Sequence, residues 1–198
     1  GNSLGGGVAW RLSLERPDLV ERLLLLNAGG TTLVSELSSN LVTTLGTGVQ
    51  RYATPRVAVR LLLRDAYGDP AKLTDDVLTR YHDLLLRRGN RAAVLELVRR
   101  YEQDHYDSER HDRGRRVLTP PSVGTPRPEV WDEHDIDDVP VPALFQWGPA
   151  DSCLPPDFGR ELASRIDDSR FVTYEGVGHV PMEEAPAETV ADAAEFIE

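Results

Sequence analysis

The sequence predicts an α/β fold in which a mostly parallel sheet is covered by helices on both faces and interrupted by a helical insertion. Three observations predict it. The runs Leu23–Leu26 and Ala143–Trp147 are continuously apolar, as in strands buried on both faces. Amphipathic segments flank them, one over Val8 to Glu15 and one over Asp157 to Ile166. Between the two runs, from Thr31 to about Glu109, the apolar period is helical throughout.

Taken in order, Gly1 to Gly7 lead into a helix over Val8 to Glu15, with Val8, Ala9, Leu12 and Leu14 as its apolar side and Pro17 as its stop. A short turn around Asp18 to Val20 precedes the strand at Arg22 to Asn27, and Gly29 and Gly30 end it. Helices are expected near Leu33 to Leu45, Pro55 to Tyr67, Thr74 to Arg88 and Arg91 to His105, their apolar faces drawn from residues such as Leu61, Leu62, Val77, Leu78, Leu84 and Leu85. Helices without intervening strands, set between two buried strands, suit a cap over a binding site. Pro120, Pro121, Pro126 and Pro128, then the charged stretch Trp131 to Asp138, read as a solvated return crossing. The core resumes with the strand Ala143 to Trp147, a helix carrying Phe158, Leu162 and Ile166 at four-residue spacing, the strand Phe171 to Tyr174, and a last helix from about Ala187 to Ile197. The division is core over 1–30, helical cap and return linker over 31–138, and core over 139–198.

Composition narrows the class. A chain of 198 residues, 40% hydrophobic and 28% charged, holds one sizeable core, and no apolar stretch is long enough to span a membrane. The net charge of −11 argues against a nucleic-acid partner, because phosphate backbones are bound by clustered basic faces. Lys72 is the only lysine, a pattern that fits either a high-salt adaptation or a GC-rich genome. Cys153, the only cysteine, excludes an internal disulfide and fits a reducing, cytoplasmic compartment. His134 lies among acids, but nothing near it completes a metal-ligand spacing. His82, His105, His111 and His134 read as surface residues.

Gly1-Asn2-Ser3-Leu4-Gly5-Gly6 fits the G-x-S-x-G pattern of a serine on a sharp strand-to-helix turn, where crowded neighbours leave no room for flanking side chains. The turn exposes the hydroxyl and sets the Leu4 N–H at a helix start, where it can donate to a developing oxyanion. Far downstream, Asp151 follows the buried strand ending at Trp147, and His179 follows the next strand within Gly176-Val-Gly-His179-Val-Pro181. Loops at strand C-termini are where open α/β sheets carry their sites. The residues alone also admit Ser3 as a polar turn residue, Asp151 as a turn former with Asp157 as rival acid, and His179 as a loop histidine.

Gly1-Asn-Ser-Leu-Gly-Gly6 with Arg16-Pro-Asp-Leu-Val20, Pro142 to Gly148 with Asp151, and Gly178-His-Val-Pro-Met-Glu-Glu-Ala-Pro186 together resemble the capped α/β-hydrolases, in particular their esterase, haloperoxidase-like and meta-cleavage-product branches. The similarity covers roughly residues 1–30 and 139–198, and the cap matches in position and helical character. The resemblance implies that Ser3 is the nucleophile, His179 the base and Asp151 the acid, in the Ser, Asp, His chain order of that fold. Some relatives take their acid after the first of these strands, where this chain has Asn27, which cannot carry the charge. The resemblance implies no cofactor or metal, and a small-molecule ester with an apolar acyl or aryl part as substrate. Carbon–carbon hydrolysis and ligand reception on the same fold are the alternatives. In the branch that cleaves carbon–carbon bonds, tryptophan commonly follows the histidine and a cap arginine faces the substrate; here Val180 follows, and Arg60, Arg64 and Arg88 are available.

Relatives carry further strands, and a second oxyanion donor, before the serine, so the chain is expected to correspond to the C-terminal two-thirds of such a hydrolase. The isolated 198 residues should then be inactive and aggregation-prone, because a sheet without its central strands exposes apolar surface. Cooperative unfolding together with ester turnover by the isolated chain would be the opposite outcome.

Overall fold

The computed structural model describes residues 1–29, 55–93, 96 and 133–198. The expected helix at Leu33 to Leu45, most of that from Arg91 to His105, the proline-rich stretch, His105 and His111 lie outside them. The elements are α1 (Leu4–Glu15), a 3-10 turn (Pro17–Leu19), β1 (Leu23–Leu26), α2 (Arg56–Ala66), a turn (Pro70–Lys72), α3 (Asp75–Leu86), a 3-10 segment (Glu133–Asp138), β2 (Ala143–Trp147), α4 (Pro156–Ser164), β3 (Ser169–Thr173), α5 (Pro181–Glu184) and α6 (Pro186–Ile197).

The three strands form a parallel sheet in the order β1-β2-β3. Leu25 is opposite Phe145, and Phe145 is opposite Phe171. All three C-terminal ends therefore point to one edge. β2 is buried at every position, as a central strand should be. β1 departs from the expectation of two buried faces. Leu23 and Leu25 are buried while Leu24 and Leu26 are half-buried, the period-2 signature of a strand with one well-covered face. β3 is half-buried along most of its length.

α1 begins at Leu4, four residues before the expected start, so glycines occupy its first turn. Packing explains this, because a Cβ on Gly6 would lie 2.3 Å from the Ala28 Cβ. The buried face matches the expected one only in part, with Ala9 and Leu14 packed against the core. Gly6, Gly7, Trp10 and Ser13 face the core, while Val8 and Leu12 are exposed. The Ser13 hydroxyl is satisfied locally by donating to Trp10 O (2.6 Å). α4 lies over Trp147, where a Cβ on Gly159 would press on the indole at 2.7 Å. The stretch expected to be a solvated crossing is anchored instead. Ile136 is buried in the main core, Asp135 pairs with Arg11, and Asp137 accepts from Arg165 Nε (2.6 Å).

A second apolar cluster joins the insertion to the core. Val59 and Leu63 of α2, Leu73 and Leu78 pack with Tyr67 and with Val180. The buried stripe of α2 is Ala58, Val59 and Leu63, and Leu61 faces out, because burial selects the i, i+4 pair that meets α3. Thr74 caps α3 by accepting the Val77 N–H (3.3 Å). His82 is half-buried, a departure from its expected surface position.

Leu25 is fully buried in the main core. Leu25→Ala is expected to cost about 2–5 kcal/mol in equilibrium unfolding, the range for deleting a buried leucine side chain. Val190→Ala, at an exposed site on α6, should stay within about 0.5 kcal/mol.

Candidate active site

Ser3 precedes α1 with φ 53° and ψ −125°, a conformation that L-residues avoid. It is held there from several directions. Its N–H donates to Leu26 O (3.1 Å), and its carbonyl accepts from Gly29 N–H (3.2 Å) and from the first turn of α1. A Cβ on Gly1 would lie 2.2 Å from Gly5 O, so glycine is obligatory there. The crowding expected at Gly5 is absent, because that position faces open space and the tight contact falls on Gly6 instead. Neither the Ser3 hydroxyl nor the Leu4 N–H has a hydrogen-bond partner among the described residues. Both are available to a ligand.

Asp151 follows β2 and is buried. Its loop is fixed by Asp151 N–H to Gly148 O (3.1 Å), Ala150 N–H to Val177 O (2.9 Å) and the Trp147 indole N–H to Leu154 O (3.1 Å). The carboxylate accepts at both oxygens. Oδ1 takes the Cys153 N–H (2.8 Å), and Oδ2 takes Asn27 Nδ2 (2.6 Å) and His179 Nδ1 (2.7 Å). A carboxylate only accepts, which assigns the shared proton to Nδ1. Asp157, the rival acid, is exposed and pairs with Arg160 (3.1 Å).

His179 is buried, and its main chain is gripped on both sides. Its N–H donates to Ala66 O (2.7 Å), and its carbonyl accepts from Asn2 Nδ2 (2.9 Å), whose amide also reaches Leu26 O (2.9 Å). Asp151 and His179 are thus directly bonded. Ser3 is joined to them through its neighbour Asn2, without a bond of its own to the imidazole.

Two polar residues were not legible as contributors. Asn2 stood in the sequence as a variable position of the turn. Asn27 stood out only as a place without charge, yet it is fully buried, has φ 39°, accepts the Gly148 N–H on Oδ1 (2.9 Å) and donates to Asp151. A polar side chain directly after a buried apolar strand was the available signal. No cluster of metal-ligating side chains occurs among the described residues, and no described helix is long and apolar enough to cross a membrane.

A strained serine at a strand-to-helix turn, with an Asp–His pair on the neighbouring loops of a parallel sheet, defines the class. Residues 1–193 match the alpha/beta hydrolase family, and the chain belongs to it. No curated protein matches the chain in sequence. Among solved structures it is similar to a serine hydrolase involved in carbazole degradation, at 19% identity and TM-score 0.66, covering 100% of this chain and 61% of that one. It is also similar to a meta-cleavage product hydrolase from Pseudomonas fluorescens IP01, at 20% identity and TM-score 0.63 over 99% and 62%. An esterase from Thermogutta terrifontis matches at 18% identity and TM-score 0.64 over 100% and 62%. At these identities the likeness is one of fold. The chain spans about three fifths of the length of each.

Asn27→Leu would leave the Gly148 N–H without its acceptor and Asp151 Oδ2 without one of its two donors. The expected loss is about 1–3 kcal/mol for each buried group left unpaired, measured by equilibrium unfolding. Stability within about 0.5 kcal/mol of the parent would mean that neither bond matters.

Proposed function

We propose that the protein is a serine hydrolase that cleaves small or medium carboxylic esters through an acyl-enzyme, with Ser3, His179 and Asp151 as its triad. The observation that carries this reading is the φ of 53° at Ser3, a strained non-glycine backbone whose hydroxyl has no partner among the described residues. Ser3 Oγ attacks the carbonyl carbon while His179 Nε2 takes the hydroxyl proton. Asp151 holds the imidazole by Nδ1 and balances the imidazolium charge. The Leu4 N–H, at the positive end of α1, donates to the oxyanion. His179 returns the proton to the departing alkoxide, and water, activated by the same imidazole, then releases the acid and restores Ser3.

The surroundings of His179 support an ester over a carbon–carbon bond as the target. Cleaving a dienol requires a site that binds a carboxylate and relays a proton to carbon. Val180 is buried among Val59, Leu63, Leu73 and Leu78, and so lines the insertion side with alkyl groups. Arg60, Arg64 and Arg88 are exposed, and the Arg60 guanidinium is paired with Asp75 (2.6 Å). An apolar acyl or aryl group is the substrate chemistry that suits these apolar surroundings.

With the protein in its natural sequence context, a fluorophosphonate probe is expected to label Ser3, and Ser3→Ala to abolish the labelling. Asp151→Asn should lower kcat by about ten-thousandfold through the wrong histidine tautomer, the size of effect known from the serine-protease triad. Turnover of short p-nitrophenyl esters separates a hydrolase from a ligand receptor. A kcat/KM on a ring-cleavage dienoate about a hundredfold above that on the best ester would transfer the assignment to carbon–carbon hydrolysis.

A further inference from the structure

We propose that Glu184 is a positioning residue for His179. Its buried carboxylate clamps the backbone just before the histidine onto the turn that ends α2, and so sets where the imidazole stands. The inference rests on the triad reading above.

Glu184 is 5% exposed, and no cationic side chain pairs with its carboxylate among the described residues. Main-chain amides satisfy it instead. Oε1 accepts the N–H of Gly178 (2.7 Å) and of Gly68 (3.2 Å), and Oε2 accepts that of Asp69 (3.0 Å). One donor belongs to the loop that carries His179 and two belong to the segment that leaves α2. One residue further on, His179 N–H donates directly to Ala66 O (2.7 Å). The two backbones are thus tied at successive residues, once through the carboxylate and once directly.

Backbone lies directly against backbone there. A Cβ on Gly178 would lie 2.4 Å from Gly68 N and 2.5 Å from Ala66 O, and a Cβ on Gly68 would lie 2.5 Å from Gly176 O. With no side chain between the chains, their spacing depends on the groups that bridge them. A carboxylate suits the task because it offers two acceptor oxygens and no donor, matching three converging N–H groups. A glutamine cannot do the same, since its amide nitrogen would meet an amide hydrogen and one side of the bridge would open. Such amide-to-carboxylate bonds are charge-assisted and stronger than neutral ones.

The clamp is itself held. Lys72 Nζ donates to Glu184 O (2.8 Å). The adjacent Glu183 accepts from Tyr67 Oη (2.6 Å) and Tyr81 Oη (2.9 Å) and pairs with Arg80 (2.7 Å). Burial, and then the Glu183 carboxylate, push the Tyr81 phenol up to about 12, so it remains a donor through the neutral range. α5 is therefore pinned to α2 and α3 through both of its acids. An imidazole must meet its nucleophile to within a fraction of an ångström, and a shift of about 1 Å can cost about a hundredfold in rate.

The test uses the protein in its natural sequence context with p-nitrophenyl esters as probe. Glu184→Gln should lower kcat by about ten- to a hundredfold with KM within about twofold. It should also shift or broaden the downfield proton NMR resonance of His179 Nδ1–H, which a purely structural role would leave in place. Glu188→Gln, at an exposed site on α6, serves as the control and should change neither readout. Parent-like kcat together with an unchanged resonance in Glu184→Gln would overturn the inference. If that variant does not fold, Lys72→Met, a change at an exposed side chain, replaces it. A lower kcat at unchanged KM then supports the clamp, and a parent-like kcat refutes it. Ester turnover by Ser3→Ala would defeat the hydrolase reading itself, whereas an inactive Ser3→Ala beside a fully active Glu184→Gln would defeat only this one.

Discussion

Asp151 Oδ2 accepts from two side chains that the sheet delivers from opposite sides, Asn27 at the end of β1 and His179 beyond β3. That convergence requires the strand register. Leu26 is paired with Gln146 and Trp147 with Thr173, so the residues just past each strand end emerge side by side. A slip of one residue in either pairing would turn the side chains to the other face and part the donors from their acceptor. The apolar packing of Leu25, Phe145 and Trp147 therefore fixes more than stability. It specifies the register, and the register assembles the polar site.

The chain carries a net charge of −11, yet among the described residues no arginine pairs with the buried acids Asp151 and Glu184. Asp151 is met by two N–H donors besides the histidine, and Glu184 by three main-chain amides. Main-chain donors at loop ends have fixed directions and cost little side-chain entropy, so they orient a carboxylate more rigidly than a long flexible cation would. Some arginines form exposed pairs such as Arg16–Asp18 and Arg60–Asp75, which contribute little to stability, while Arg11 and Arg165 tie the 133–138 segment to the core.

Two of the strands, and the loops that carry Ser3, Asp151 and His179, are legible because local signals mark them: the apolar runs Leu23–Leu26 and Ala143–Trp147, and a Gly or Pro close to each of the three polar residues. The start of α1 is not. Gly5, Gly6 and Gly7 argue against helix by propensity, and only the contact of Gly6 with Ala28, distant in sequence, overrides it. The inward faces of α1 and α2 are only partly legible for a related reason: several leucines compete on each helix, and the neighbouring element decides which are covered. Ile136 was hidden among acids whose charges suggested full solvation. Asn27 bonds Asp151, and Glu184 bonds Gly68 and Asp69, across more than a hundred residues, and no periodicity encodes such bonds.

Asn2 and His179 are 177 positions apart in the chain and share one hydrogen bond, with β1 and β2 paired between them. Contacts of such separation form late, after the closure entropy of the intervening chain has been overcome. During synthesis the serine turn emerges first, and the loop that supplies the imidazole follows only when almost the whole of this segment has left the ribosome. A nascent chain therefore presents the turn without its imidazole. The contact between the serine turn and the histidine loop is assembled only after the polypeptide between them has been made.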